Sequence, residues 1–525
     1  MAAPSGAAVD ISQAMVVAEA PLADWLVIAP VAYCLMAGAG LMMLRKYVKL
    51  QPRLAVFGLL ALVAMTAGLL VHVLSGGTVT VTMGRWLPPF GISFSVDILG
   101  AILAFTASLV ALACGLYAAQ DVDKTGRRYG FYPLLFLMMA GVIGAFVTGD
   151  IFNLYVWFEV LLIASFGLQI LGSERQQLDG ATKYALLNLV ATTIFLIATG
   201  FLYGIFGTLN MADIALQARE MGATAPLYTL AALYLLAFGM KAAAFPVAFW
   251  LPASYHTPKV VVSALFAGLL TKVGIYALLR TMIMLFPEQR DELATLIAIV
   301  AVVTMILGTL GALAQTDYRR LLGYLVVSGI GVMLAGIALA TPLGLSGSIF
   351  YALHSIIVMT ALYMAAGMAA RIGRSFSIAQ LGGIYRSHVL FAAISLVLFL
   401  SVSGLPPFSG FWPKAVLVKA SLDAGIWWLA ASILVTGFLT TIAVGRVWAH
   451  AYWKPADTTP PESPMMIPTA TLRPSATYLP LIGLVALTAV FGLYPEPLLV
   501  LTERSAEQLL DPGSYIQSVF PEAAQ

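Results

Sequence analysis

The chain has 525 residues, 61% of them hydrophobic and only 10% charged, with a formal net charge of +3 and a mean hydropathy of +0.95. A soluble globular chain carries about 25% charged residues, so this composition excludes that class. Its two cysteines, Cys34 and Cys114, lie far apart in apolar sequence, too few ligands for an iron–sulfur cluster or a four-ligand zinc site. No P-loop and no dinucleotide fingerprint occurs. Neither a cofactor nor a metal is therefore expected, and nothing points to nucleic acid.

The N-terminal segment MAAPSGAAVDISQAMVVAEAPLAD lacks the basic start of a signal peptide and carries Asp10, Glu19 and Asp24. It reads as a short segment leading into the first helix. Apolar stretches follow near 25–44, 54–74, 95–118, 130–148, 151–172, 184–206 and 227–251. A second set lies near 260–286, 293–314, 321–341, 345–370, 388–422, 425–449 and 477–500. A run of about 20 apolar residues crosses a hydrocarbon core of about 30 Å. The sequence predicts an all-α polytopic membrane protein with about fourteen spans, and 388–422 is long enough to be a broken helix. The Pro- and Thr-rich 451–475 stretch reads as a linker, and the polar tail from Thr502 as a short surface helix.

Lys and Arg set the expected orientation. Eighteen of them fall in loops after odd-numbered spans, including Arg45, Lys124, Arg319, Arg371 and Arg473. Five fall on the other side: Arg85, Arg219, Arg280, Arg290 and Arg504. The bias predicts a bacterial inner membrane protein with both termini outside.

Four basic residues remain, Lys241, Lys272, Lys414 and Lys419, all inside apolar stretches. A charge near the bilayer centre costs about 2.5–3.5 kcal/mol or more, so such residues face protein or a wet cavity and mark ion routes. Glu159 lies nine residues past Asp150, about 13 Å into its span at 1.5 Å per residue. A buried lysine can exchange between charged and neutral forms, and a Glu–Lys pair whose separation changes can gate a proton. The bland alternatives are a static ion pair or a lysine that snorkels to the interface, and Lys419, near a helix end, fits the second. His354, in FYALHSIIVMTALY, is mid-span and suits a proton relay, although a lone histidine in a helix is often simply hydrogen-bonded.

Proline strengthens the pattern. FGMKAAAFPVAFWLP places Pro246 and Pro252 after Lys241, and SVSGLPPFSGFWPK places Pro406, Pro407 and Pro413 before Lys414. Broken helices are tolerated in a membrane where backbone lines a cavity. The two segments share a faint Pro/Phe/Trp likeness five spans apart, as an inverted repeat would give.

Four motifs carry a family resemblance: GDIFNLYVWFEVLL, FGMKAAAFPVAFWLPASYHTPKVVVSALFAGLLTKVGIYALLR, QTDYRRLLGYLVVSGIG with Asp317, and GLPPFSGFWPKAVLVKA. Over about 95–450 the chain resembles the antiporter-like proton-translocating subunits shared by Mrp-type multisubunit Na+/H+ antiporters and respiratory complex I. Within that group it is most similar to the D-type branch of the Mrp antiporters. The resemblance implies fourteen helices, with helices 1–3 in 1–128 and inverted five-helix repeats in 129–286 and 293–449. A linker, helix 14 and tail would occupy 450–525, and helices 7 and 12 would be broken. It also implies a proton relay through Glu159 paired with Lys241, then Lys272, His354 and Lys414. Met359 stands where relatives often have lysine, which leaves His354 with more of that helix's part.

The function implied is a non-enzymatic proton-translocating subunit of a Na+/H+ antiporter. Its partners would be a longer homologous subunit, several small membrane subunits, H+, Na+ and the lipid bilayer. The alternatives are a proton-pumping membrane subunit of an NADH:quinone oxidoreductase or membrane-bound hydrogenase, and a structural scaffold with static charge pairs.

Overall fold

A computed structural model describes residues 15–16, 20–455 and 474–521. Asp10, Glu19, Arg473 and most of the expected 451–475 linker lie outside the described residues.

Helix α1 is Ala29–Met43 and α2 is Gln51–Gly76, followed by strands β1 (Val79–Thr82) and β2 (Ser93–Val96). Then come α3 (Ile98–Asp121), α4 (Lys124–Tyr129), α5 (Phe131–Val147), α6 (Ile151–Gln169), α7 (Arg175–Phe206) and α8 (Met211–Met221). The first broken segment is α9 (Ala225–Ala242) with α10 (Trp250–Ser254). Helix α11 (Val260–Leu278) continues as a π-helical turn to Leu285, and α12 (Pro287–Ala314), α13 (Tyr318–Leu339) and α14 (Pro342–Gly373) follow. After α15 (Ile384–Ser387), the second broken segment is α16 (Val389–Ser403) with α17 (Phe411–Asp423). The chain ends with α18 (Trp427–Val447), α19 (Pro474–Leu493), α20 (Glu496–Leu510) and α21 (Gly513–Val519).

Among the described residues, ten helices are long and apolar enough to cross a bilayer. There are eleven if the pair 478–493 and 496–510, bent by 81°, counts as one, and the apolar α1, α5 and α16 are shorter. The expected tail helix is present but begins at Glu496, inside the stretch assigned to the last span.

Short polar residues start these helices by accepting otherwise orphaned N–H groups. Asp97 accepts from Gly100 N at 3.0 Å, Asp150 from Asn153 N at 2.7 Å, and Asp317 from Arg319 N at 2.8 Å. The hairpin was not anticipated, although Val-Thr and Ser-Phe alternation through 79–82 and 93–96 carries a period of two. Val79 pairs with Val96 and Thr82 with Ser93. Thr80 Oγ1 and Ser518 Oγ lie 2.8 Å apart, tying β1 to α21. The hairpin, α8, α20 and α21 thus share one face, and the loops richest in Lys and Arg occupy the other.

The most apolar windows of the Val260–Leu285 span and of α14 are entirely buried, and that of α3 is 83% buried, against 33% for α2. The window of α13 is 94% buried, so helices α3, α11, α13 and α14 form the centre. Between membrane helices the hydrophobic effect adds little, so close approach through small residues matters more. A methyl on Gly274 of α11 would sit 2.8 Å from the backbone N of Ala242, so glycine there lets α11 lie against the end of α9.

Charge fastens α3 at both ends. At the hairpin face Arg280 donates to Asp97 at 2.5 Å, with both side chains 1% exposed. At the basic face Asp121 accepts from Arg371 at 2.6 Å and from Val261 N at 2.9 Å. The sequence assigned Arg280, Arg290, Arg319 and Arg371 to loops. The structure buries Arg280, Arg290 and Arg319, and Arg371 is paired at a helix end.

Candidate functional site

The site grows from the two helix breaks. Helix α9 ends at Ala243, which takes a left-handed conformation (φ 64°). Ala244 N then reaches back to Gly239 O at 2.8 Å. Helix α16 ends at Gly404 (φ 82°), and Leu405 N reaches back to Leu400 O at 3.2 Å. Both are Schellman-type turns, in which a bond spanning six residues satisfies a carbonyl at the helix end. Proline after each turn prevents the helix from resuming at once.

Lys241, in the last turn of α9, is buried at 3% exposure. Its Nζ donates to Thr192 Oγ1 of α7 at 2.7 Å and lies 4.6 Å from the centre of the Phe158 ring. Glu159 follows Phe158 on α6, but no ion pair within 4.0 Å joins it to Lys241, and Glu159 Oε1 is buried without a hydrogen-bond partner. The expected Glu–Lys pair is open in this structure. A cavity of about 10 Å³, at the lower limit for one water, is lined by Phe158, Tyr184, Asn188, Lys241 and Trp250. Phe152, Val156 and Ile163 are exposed at spacings that put them on Glu159's face of α6.

Lys272, on α11, is 1% exposed and turns back along its own helix to donate to Ala267 O at 2.6 Å. Among the described residues, no ion pair or hydrogen bond joins it to Lys241 or His354. His354, buried on α14, places Nδ1 2.9 Å from the hydroxyl of Ser409, inside the second break. Lys414, at the start of α17, donates back across that break to Ser403 O at 2.9 Å and Val402 O at 3.2 Å. The structure therefore gathers His354 and Lys414 at one break, sets Lys241 near Glu159 at the other, and leaves Lys272 between them in sequence. Lys419 is a surface residue paired with Asp423 at 2.6 Å, as its helix-end position suggested.

Four buried nitrogenous side chains thus have only hydroxyl or backbone carbonyl partners in direct contact. Such acceptors hold a proton without locking it into an ion pair, which is what a transfer route needs. Among the described residues no group of three His, Cys, Asp or Glu side chains could hold a metal ion.

Sequence reasoning missed Thr192 and Ser409, since hydroxyl residues are ordinary in such helices. It also missed the Asp97–Arg280 pair, whose signal was an arginine inside the predicted 260–286 span. His256, between α10 and α11, was likewise unremarked. Its Nε2 lies 3.1 Å from Arg320 and its Nδ1 2.9 Å from Pro252 O. Burial, then the charges of Arg320 and Arg319, lower His256 to about 4, so it is neutral at pH 7.

The fold is that of a polytopic membrane protein with basic side chains buried at two helix breaks. The family described as NADH:quinone oxidoreductase/Mrp antiporter, transmembrane, matches residues 148–440, and the chain belongs to it. It is 37% identical over 497 residues to the D-type Na+/H+ antiporter subunit of Alkalihalophilus pseudofirmus, covering 95% of this chain and 99% of that one. The D-type Na+/H+ antiporter subunit of Bacillus subtilis is 35% identical over 457 residues, covering 87% and 91%. A chain of the Mrp complex from Dietzia sp. DQ12-45-1b superimposes with a TM-score of 0.87 at 30% identity, covering 95% of this chain and all of that one. A chain of respiratory complex I from Thermus thermophilus gives 0.78 at 24% identity over 93% of this chain, a likeness of fold.

Proposed function

We propose that this chain is a proton-translocating subunit of a multisubunit Na+/H+ antiporter, with a buried route through Glu159, Lys241, Lys272, His354 and Lys414. The observation that carries the reading is that three lysines and a histidine sit inside the membrane fold with no carboxylate in contact. Ionisable residues at such depth are costly, face the bundle interior, pair with one another or with backbone carbonyls, and mark ion or proton routes. The open Glu159–Lys241 geometry fits the separated state of a pair that opens and closes as protons pass.

The matched turns after Ala243 and Gly404 support the division into inverted repeats at 129–286 and 293–449, flanked by 1–128 and 450–525. They also support counting the shorter apolar helices among fourteen spans. The excess of Lys and Arg on the face opposite the hairpin supports a cell-membrane orientation with that face in the cytoplasm and both termini outside. The exposed stripe of α6 beside Glu159 supports burial against other membrane subunits, a longer homologue and several small ones. The names of the relatives favour Na+ as the coupled ion.

The test is Na+-driven proton movement in vesicles holding the assembled complex with Lys241→Ala or Glu159→Ala. Both should assemble and lose antiport. Wild-type antiport in either would sink the route. Flavin or iron–sulfur subunits co-purifying in fixed proportion would instead make this chain the pumping arm of a redox enzyme.

A further inference from the structure

Helix α7 carries four threonines, Thr182, Thr192, Thr193 and Thr199. Three of them do what threonine usually does in a helix, donating to the carbonyl four residues back. Thr182 donates to Leu178 at 2.8 Å, Thr193 to Leu189 at 2.9 Å and Thr199 to Phe195 at 2.9 Å. Thr192 is different. It is 3% exposed, and its hydroxyl makes no such bond but accepts from Lys241 Nζ at 2.7 Å. The ammonium is thereby drawn to α7 and over the Phe158 ring, while Glu159 Oε1 stays buried without a hydrogen bond.

We infer that Thr192 is a positioning residue that holds the Lys241 ammonium off Glu159, which keeps the pair from collapsing into a permanent ion pair. The inference rests on the proposed route through Lys241. A buried Glu–Lys contact is strongly attractive in a low-dielectric interior. A route that must open and close needs a competing acceptor near the lysine, and a hydroxyl bound to a charged group shifts such an equilibrium by about ten- to a hundredfold. Thr192 is the residue in contact that supplies it. The small cavity beside Asn188 and Tyr184 gives Lys241 a third direction, room for about one water.

The experiment uses the whole complex in everted vesicles, with Thr192→Val, Thr192→Ala, Thr192→Ser and Lys241→Ala beside wild type. Without the hydroxyl, Lys241 closes on Glu159. Thr192→Val should then assemble normally, run about tenfold slower or more near neutral pH, and reach half-maximal rate at a more alkaline pH. Thr192→Ala should behave alike, and Thr192→Ser should restore rate and profile. Wild-type rate and pH profile in Thr192→Val or Thr192→Ala would overturn the inference. So would reduced assembly in both with an unshifted pH profile in the complex that does assemble, which would make Thr192 purely structural. Lys241→Ala separates the two claims: if it keeps antiport the route itself fails, and if it is inactive while Thr192→Val is normal, only the positioning role fails.

Discussion

At the first break the carbonyl of Met240 accepts from the Trp250 indole at 3.1 Å, whereas at the second the carbonyls of Val402 and Ser403 accept from Lys414 itself. The second tryptophan, Trp412, is sent elsewhere, to Gly492 O at 2.7 Å on α19. The carbonyl end of a helix carries partial negative charge and unsatisfied acceptors, so each break needs a donor. Supplying it from tryptophan leaves Lys241 at liberty to reach a hydroxyl on another helix. Supplying it from lysine ties Lys414 to the backbone of the break. The two breaks therefore teach that alike turns can leave one lysine free of the backbone and hold the other to it.

Changes at the second break should be the more damaging to stability. Gly410 lies where a methyl group would collide with the Ser401 carbonyl oxygen and come within 3.1 Å of His354 Cε1. Gly410→Ala should cost about 1–3 kcal/mol, seen as a lower denaturation midpoint of the purified complex, with antiport reduced as His354 is pushed from Ser409. Lys414→Ala should follow, leaving two buried carbonyls short of a donor at about 1–3 kcal/mol. Trp250→Phe keeps the bulk and removes one N–H from the first break, so about 1 kcal/mol is expected, again by thermal denaturation. An unchanged midpoint in Trp250→Phe would mean that the Ala243 N–H, which also reaches Met240 O at 3.1 Å, satisfies that carbonyl by itself. Lys419→Ala, at the exposed pair with Asp423, should shift stability by no more than about 0.5 kcal/mol and leave antiport intact.

Much of this was legible in the sequence, for physical reasons that also explain what was not. Long apolar runs declared the membrane class, and both breaks lie where Pro246 and Pro406–Pro407 placed them. The burial of Lys241, Lys272, His354 and Lys414 followed from their position in apolar stretches. Partners were another matter. Asp97 and Arg280 lie 183 residues apart, and the Lys241–Thr192 bond spans 49, so neither follows from local spacing. The hairpin was overlooked because its short alternating strands sit between long apolar runs that dominate any reading of this composition.

The most direct test of the account compares Lys241→Ala with Lys414→Ala in complexes matched for assembly, measuring Na+-driven proton movement and the thermal denaturation midpoint together. The account predicts that both lose antiport, while only Lys414→Ala lowers the midpoint clearly. Equal loss of stability in the two, or antiport retained by Lys241→Ala, would contradict it.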